Sequence, residues 1–341
     1  MVLDEYDCCT FRPIQTTFKE VISVAKKNQE QSVIGVSDLQ GVGEATAEKL
    51  AQVGYTDIMS IAMANPSALI DATGMGDSVA KRIIAQARAS VHMEFESGQD
   101  VAQKRENVLR IPTGSKDFDK LLGGGFESKG ITEIFSAFGS GKTQIGHALA
   151  VNAIKQSPDS YVVYIDTEST FRPERITQMA TATGLEPQEV LKHIKVARAY
   201  NSDHQCLLAE KVDDLIKKDK LNIRLVIIDS LTAHFRAEFI GRGTLADRQQ
   251  RLNRHMHVLS RLAEINNLCV YVTNQVMARP DTFFGDPTEA IGGHIVGHNS
   301  QTRIYLRRGK KGTRVVKLID SPYLEDGECT IQITTEGIQD V

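Results

Sequence analysis

The sequence predicts an α/β protein with a mainly parallel central sheet, preceded by a small all-α domain with helix–hairpin–helix turns. Three observations predict this architecture. Short apolar runs alternate with helix-forming stretches from Ile111 onward, which is typical of parallel sheets covered on both faces. At Ile131–Gln144 one such run passes through a Gly- and Ser-rich turn into a helix. Two Gly-x-Gly turns precede helical stretches between Gly35 and Val91.

Composition limits the class of protein. The 341 residues are enough for about two domains, and no apolar run approaches the roughly 20 residues that span a membrane. The beginning of the chain lacks the apolar core of a signal peptide, so we expect a cytoplasmic protein with no membrane partner. The net charge of −3 gives no general signature of nucleic-acid binding, and any basic surface must therefore be local.

A phosphate-binding loop is predicted in the stretch SAFGSGKTQ, where Ser136 replaces the usual first glycine. Backbone N–H groups of such a loop surround phosphates, Lys142 would reach the β- and γ-phosphates, and Thr143 would bind Mg²⁺. The alternative is a chance Gly-Lys-Thr in a surface loop, but the strand before it and the helix after it favour the phosphate site. The predicted nucleotide contacts are Ser136, Ala137, Phe138, Gly139, Ser140, Gly141, Lys142, Thr143 and Gln144.

The strands and helices of the core follow in alternation. Strands are predicted near 131–135, 161–166, 193–197, 224–229 and 268–274, with helices at about 142–156, 173–183, 204–218 and 244–266. Ligands bind at the carboxyl ends of parallel strands. We therefore expect Asp229 to support Mg²⁺ as a Walker-B-type carboxylate, with Asn274 and Gln275 at the same edge. Beyond Tyr305, a Gly-containing hairpin and the runs VVKLID and CTIQITT predict antiparallel strands that extend the sheet.

The chain divides into four predicted parts. They are a poorly ordered tail (1–33), a helix–hairpin–helix DNA-binding domain (34–92), a polar linker (93–107) and the α/β core (108–341). The linker contains one isolated aromatic side chain, Phe95. This side chain either packs on its own domain or inserts into a neighbouring molecule.

The helical domain contains two copies of a tight turn, Gly41–Gly43 and a weaker one at Gly74–Gly76. The N–H groups of such a turn and of the next helix can hold a DNA phosphate without reading sequence. The alternative is a helix pair used only for packing or protein contacts. Both glycines recur in the second copy, which favours DNA contact.

A local basic segment lies between residues 236 and 254, where five arginines outnumber two acidic residues. Gly241 and Gly243 favour a mobile, DNA-facing loop over about Arg236–Arg248, in which the arginines bind phosphates. The alternative is the solvated, charged beginning of a helix.

Five stretches together carry a resemblance to a known family. They are TESTFRPER (Thr167–Arg175), LVIIDS, RAEFIGRGTLADRQ, NQV and VMARPDTFFGDPTEAIGGH. As a set they resemble the RecA-fold strand-exchange recombinases, and within them the archaeal RadA branch, close kin of the eukaryotic recombinases. The resemblance runs from about residue 36 to the C-terminus. It implies a RecA-like P-loop ATPase core behind the helix–hairpin–helix domain.

The resemblance assigns roles around the nucleotide. Glu168 resembles the catalytic carboxylate that orients or deprotonates the attacking water, and Gln275 resembles the γ-phosphate sensor. Lys142 completes the predicted catalytic group, and Arg175 resembles the guanidinium that stacks on adenine. Two further contacts are expected from the adjacent subunit, His298 and Asp320.

The resemblance also assigns assembly and DNA contacts. Phe95 resembles the linker aromatic that inserts into the neighbouring core, and Gly98 stands where the family commonly has Ala, which weakens a second contact. The DNA-binding residues implied are Arg236, Arg242, Arg248, Gly292 and Gly293.

The function implied is a DNA-dependent ATPase that forms filaments on single-stranded DNA and exchanges strands in recombination and repair of DNA damage. The implied cofactors are ATP and Mg²⁺, with K⁺ at the subunit interface as a further one. The implied partners are single- and double-stranded DNA, the protein itself as a helical filament or ring, and recombination mediators. A cytoplasmic, nucleoid-associated location follows.

Three further positions depart from the family pattern. Ser136 and Ser169 replace glycines beside the nucleotide, and Glu325 stands where eukaryotic relatives have a proline that caps adenine. The two serines motivate the alternative function, a regulatory paralogue that binds ATP and DNA without exchanging strands.

Overall fold

The computed structural model describes residues 36–52, 55, 58–90, 96–278 and 288–341. They belong to two compact units that divide between Asp100 and Val101. The predicted tail and Phe95 lie outside the described residues, as does the side chain of Arg242. No described helix is long and apolar enough to cross a membrane.

The described part of the first unit is helical. Its helices are α1 (Glu44–Gln52), α2 (Ile58–Ala62), α3 (Pro66–Thr73) and α4 (Asp77–Ser90). Leu50, Leu69 and Ile83 are fully buried in its apolar core. Gly74 ends α3 at a φ of 73°, and its N–H donates to the carbonyl of Ile70. The turn expected to be the weaker copy therefore joins two complete helices, whereas only a three-residue 3-10 helix precedes the first turn in the described residues.

The second unit is built on a large sheet. The strands of this unit are β1 (Arg110–Ile111), β2 (Phe126–Glu127), β3 (Ile131–Ser136), β4 (Tyr161–Asp166), β5 (Ile194–Arg198), β6 (Ile223–Asp229), β7 (Cys269–Ala278), β8 (Thr288–Ala290), β9 (Thr302–Arg308), β10 (Arg314–Asp320), β11 (Gly327–Thr334) and β12 (Gly337–Asp340). β1 and β2 pair with each other in a separate two-stranded sheet, and the large sheet contains the other ten strands. The strand order is β12-β11-β10-β9-β3-β7-β6-β4-β5, and β8 pairs with β7. Strands β9 to β5 in this order are parallel. The others are antiparallel, which confirms the predicted extension of a mainly parallel sheet.

Helices cover both faces of this sheet. α5 (Gly98–Glu106) spans the division between the two units. The helices of the second unit are α6 (Lys116–Leu121), α7 (Lys142–Gln156), α8 (Pro173–Ala182), α9 (Pro187–Lys192), α10 (Ser202–Lys217), α11 (Ala233–Glu238), α12 (Leu245–Asn266) and α13 (Gly293–Asn299). Tyr271 of β7 packs on the α7 side. Val270 and Val272 pack on the α12 side. The alternation of side chains along β7 thus serves two separate apolar layers.

The segment predicted to be a polar linker contains the helix α5, which begins at Gly98. Ser97 and Asp100 exchange hydrogen bonds, because the Asp100 N–H donates to the Ser97 hydroxyl at 3.1 Å and the Ser97 N–H donates back to the Asp100 carboxylate at 3.2 Å. This is the reciprocal pattern of a helix N-terminus. None of the residues in α5 is buried, so no apolar periodicity marked the helix in the sequence. A Cβ at Gly98 would contact nothing within 4 Å.

The basic segment was expected to form a mobile loop over about Arg236–Arg248, but most of it is helical. Arg236 lies in α11, Arg242 begins a 3-10 helix that runs to Thr244, and Arg248 lies in the first turn of α12. Gly241, with a φ of 88°, occupies the break between α11 and the 3-10 helix. The irregular backbone is therefore confined to about three residues between the two helical pieces.

Candidate active site

In the loop between β3 and α7, hydrogen bonds from side chains fix the direction of several backbone carbonyl groups. The Ser140 hydroxyl donates to the carbonyl of Ala137 at 2.9 Å. Arg308 donates to the carbonyl of Gly139 at 3.0 Å, and Arg314 donates to the carbonyl of Ser140 at 2.6 Å. The N–H and C=O of a peptide unit point in opposite directions. Carbonyls fixed in this way leave N–H groups on the other side of the loop, which is the arrangement that binds phosphate.

Two glycines are needed for this loop conformation. Gly139 and Gly141 have φ angles of 70° and 112°, in the left-handed region that glycine adopts without strain. A Cβ at Gly141 would lie 2.4 Å from the side chain of Ile333, and one at Gly139 would lie 2.3 Å from Arg308. A larger residue at either position would therefore strain the backbone and push aside the side chain of Arg308 or Ile333.

At the end of β3, the loop has Ser136 where such loops usually have their first glycine. Ser136 is fully buried. Its φ angle is not in the left-handed region, so this position does not require glycine. Its hydroxyl lies 3.0 Å from Nζ of Lys142, which also donates to the carbonyls of Ser136 at 3.2 Å and Ala137 at 3.3 Å. Burial lowers the pKa of Lys142 from its usual value. Ser136 thus supplies an oxygen to the lysine that glycine would lack.

Asp229 ends β6 as a buried carboxylate, 4% exposed, that accepts hydrogen bonds from neighbouring hydroxyls. Thr143 donates at 2.7 Å, Tyr164 at 2.8 Å and Thr273 at 2.5 Å. Because Thr143 gives its proton to Asp229, its oxygen lone pairs stay available to a cation. Hydroxyl oxygen is a ligand that Mg²⁺ accepts alongside phosphate oxygens. The residues present therefore fit Mg²⁺ held through Thr143, with Asp229 behind it.

The turn after β4 presents Glu168. The Asp166 carboxylate accepts the N–H groups of Glu168 at 3.1 Å, Thr170 at 3.1 Å and Phe171 at 3.0 Å. Three backbone bonds to one carboxylate fix the path of this turn. Ser169 within it has a φ of 59°, so the second departure from the family pattern falls where glycine would be unstrained.

Glu168 and Gln275 are in direct contact. The Gln275 side-chain amide donates to Oε1 of Glu168 at 3.1 Å, and the Ser230 hydroxyl donates to the same oxygen at 2.6 Å. No hydrogen bond to Oε2 occurs among the described residues, and Glu168 is exposed. The carboxylate is therefore oriented through one oxygen, and the other is open to a water molecule. Gln275 is the last residue of β7 that pairs with β3.

Arg175 is held by hydrogen bonds in the plane of its guanidinium group. Nε donates to Gln144 at 2.7 Å, and Nη1 donates to Gln178 and to the carbonyl of Thr335, both at 3.0 Å. Nη2 donates to the carbonyl of Thr334. Donors directed along the plane leave the two flat faces available, which is what stacking on an aromatic base requires.

Sequence reasoning missed several residues of this site. Ser230 orients Glu168, and Arg308 and Arg314 hold the loop. His147 stacks on Tyr164 with 5.6 Å between ring centroids, and burial lowers its pKa to about 4. The position of Ser230 directly after Asp229 was a usable signal, whereas the arginines come from a distant hairpin whose pairing the sequence did not specify.

Other predicted residues lie apart from this cluster. His298 on α13 and Asp320 at the end of β10 are both exposed, and neither makes a hydrogen bond to the phosphate-binding loop in the described part of the chain. Glu325 is exposed as well. Gly292 and Gly293 lie at the beginning of α13, with φ angles of 97° and 58°. Roles for these five residues stay predictions.

Comparison with known families matches the two described units separately. Residues 104–341 match the family model described as Rad51, and residues 34–89 match the one described as a SAM-like helix-hairpin-helix tandem. The first match covers more than half of the chain and contains the loop, both carboxylates and Gln275. The chain therefore belongs to the Rad51 family of RecA-fold recombinases.

Proposed function

We propose that this chain is an ATP-dependent recombinase of the archaeal RadA branch, which polymerises on single-stranded DNA, pairs it with homologous duplex and exchanges strands. The observation that carries the proposal is the contact between Glu168 and Gln275. It joins the candidate catalytic carboxylate to β7, which continues into β8 and α13, where DNA contacts are expected. Family members are DNA-dependent ATPases, which agrees with such a connection.

ATP hydrolysis depends mostly on positioning and charge stabilisation. Glu168 orients the attacking water and accepts its proton on Oε2, while Ser230 and Gln275 hold Oε1. Lys142 leaves Ser136 and contacts the β- and γ-phosphates. Thr143, with Asp229 behind it, would hold Mg²⁺, which would supply positive charge against the phosphates. Gln275 contacts the γ-phosphate when ATP is present and loses that contact with ADP.

DNA would be held through its phosphates. Arg236, exposed on α11, and Arg248, in the first turn of α12, supply charge, and Arg242 between them is proposed for the same role. Gly292 and Gly293 supply backbone N–H groups. The helix–hairpin–helix turns add contacts that do not read sequence. Base pairing between the strands then supplies specificity.

Assembly would place ATP between protomers, with His298 and Asp320 of one subunit approaching the nucleotide of the next. Among the described residues, β5 pairs only with β4, so this edge is open to another chain. We propose that Phe95 and its neighbours attach there and form a filament or ring. K⁺ at the interface, recombination mediators, the predicted location and the four-part domain division remain further predictions.

The second candidate is a regulatory paralogue, and the strained φ of Ser169 beside Glu168 favours it. A strand-exchange assay decides between the two, with homologous and heterologous duplexes incubated with ATP, ADP or a non-hydrolysable ATP analogue. We expect joint molecules only with homologous duplex and only with ATP or the analogue. ATP-dependent binding to single-stranded DNA without joint molecules would support the paralogue instead.

A further inference from the structure

Asn274, on β7 next to Gln275, is a fully buried amide whose hydrogen bonds are all made. Its Nδ2 donates to Oε1 of Glu133 at 2.7 Å and to the carbonyl of Ile291 at 2.6 Å. Its Oδ1 accepts from the Thr232 hydroxyl at 2.7 Å and from the Gln275 N–H at 2.9 Å. The carboxylate and carbonyl can only accept, and the backbone N–H can only donate, so the orientation of the amide is fixed.

Two of these partners begin the segments that are proposed to contact DNA. Thr232 directly precedes α11, the helix that carries Arg236. Ile291 directly follows β8 and precedes Gly292 at the beginning of α13. One side chain therefore joins both segments, which are about sixty residues apart in the sequence, to the same point on the central sheet.

A buried ion pair holds this point in place. Glu133 of β3 is fully buried, and its second oxygen accepts from Nε of Arg303 at 2.8 Å. The Arg303 guanidinium also lies 5.2 Å from the ring centroid of Phe135. A buried carboxylate with both oxygens engaged resists movement, because displacing either partner leaves a charge unpaired.

The alternation of β7 places nucleotide contacts and segment contacts on opposite faces. Thr273 donates to Asp229 and Gln275 donates to Glu168 on one face. Asn274, between them, contacts Thr232 and Ile291 on the other. A shift of the strand end on one face must therefore move the amide on the other, since adjacent residues share one backbone.

We propose that Asn274 is a positioning residue through which both DNA-facing segments respond together to the nucleotide detected at Gln275. The inference rests on the proposed function, since it concerns how ATP raises DNA affinity. Asn274 itself contacts neither nucleotide nor DNA. A ligand shifts a conformational equilibrium only through contacts that differ between two states, and Asn274 extends one such difference to two segments.

Three variants of the full chain test this role. Asn274→Ala removes all four side-chain bonds, and Thr232→Val removes only the bond to the first segment with little change in volume. Val272→Ala is the matched control, because Val272 is fully buried on the same face of the same strand and touches neither segment anchor through a hydrogen bond. Nucleotide affinity is measured with a fluorescent ATP analogue to establish that each variant still binds it.

The readouts are single-strand affinity with ATP analogue and with ADP, and amide exchange of Ala233–Glu238 and Thr288–Gly293 in both states. We expect the affinity ratio to fall towards one in Asn274→Ala and to stay near the wild-type value in Val272→Ala. In Thr232→Val only the first segment should stop responding to nucleotide, which keeps the inference testable if Asn274→Ala fails to fold.

Two negative results have different meanings. If the wild-type protein shows no nucleotide dependence of DNA affinity, the proposed function itself fails. If the wild-type protein shows it and Asn274→Ala keeps the ratio, or both segments still respond in Thr232→Val, the coupling does not pass through Asn274 and the inference is overturned.

Discussion

Ser169 holds the turn that presents Glu168 in a conformation that costs free energy. Its φ of 59° places Cβ close to the following carbonyl group, a cost of roughly 1–2 kcal/mol for a residue other than glycine. The three hydrogen bonds to Asp166 keep the turn in this shape. The serine therefore adds strain beside the candidate catalytic carboxylate, Glu168, while leaving the path of the chain intact.

Ser169→Gly should raise the free energy of unfolding by about 1 kcal/mol, because glycine relieves the strain but adds freedom to the unfolded chain. Denaturant unfolding measures this change. Ser169→Ala is the control, since it keeps Cβ and loses only the hydroxyl. Equal stabilisation by alanine would mean that the backbone angle is not the source of the effect.

At the scale of elements, α11 and α12 turn the basic segment into an ordered surface. Arg248 lies in the first turn of α12, while Arg251 of the same helix pairs with Asp203 and lies over the ring of Phe239. Partners within the protein already occupy Arg251. Arg236 and Arg248 are therefore better placed than Arg251 to take DNA phosphates.

Arg236→Ala and Arg248→Ala should weaken single-strand binding about equally for all sequences. Each lost phosphate contact should reduce the slope of log affinity against log salt by roughly 0.7. Filter binding or fluorescence anisotropy over a salt series measures the slope. Arg261→Ala is the control, because Arg261 is exposed further along α12, and it should leave the slope unchanged. If Arg261→Ala reduces the slope by a similar amount, DNA binding is not confined to the basic segment.

The sequence predicted long elements better than their contacts. Strands β3 to β7 and helices α7, α8, α10 and α12 appear near their predicted positions, because apolar periodicity and turn residues mark them locally. The short helices α9 and α11 have too few residues to show a period, and α5 buries none. Asn274 was predicted to end a strand, but its partners at 133, 232 and 291 are set by the tertiary fold.

At the scale of the whole molecule, two buried histidines link stability to pH. Burial lowers the pKa of His147 and of His255 to about 4, whereas an unfolded histidine titrates near 6.5. Between these values the unfolded chain binds more protons than the folded one. The contribution of the two neutral histidines to stability is therefore fully present above about pH 6.5 and is lost as the pH falls towards 4.

Between pH 7.5 and 5.5 the two histidines together should lower the free energy of unfolding by on the order of 3 kcal/mol. Urea unfolding at the two pH values measures the loss. His255→Gln should lose about half of the pH dependence, whatever its effect on stability at pH 7.5. An unfolding free energy that is equal at both pH values would contradict the buried, neutral state of these side chains.

The central claim is that Glu168, oriented by Ser230 and Gln275, carries ATP hydrolysis while DNA binding needs only the bound nucleotide. The most direct measurement is ATP turnover by Glu168→Gln together with its single-strand affinity in ATP. Glu174→Gln, exposed on α8, is the matched control. We predict that turnover falls by at least about 10²-fold while ATP-dependent DNA affinity remains. Turnover by Glu168→Gln near the wild-type rate would contradict the account.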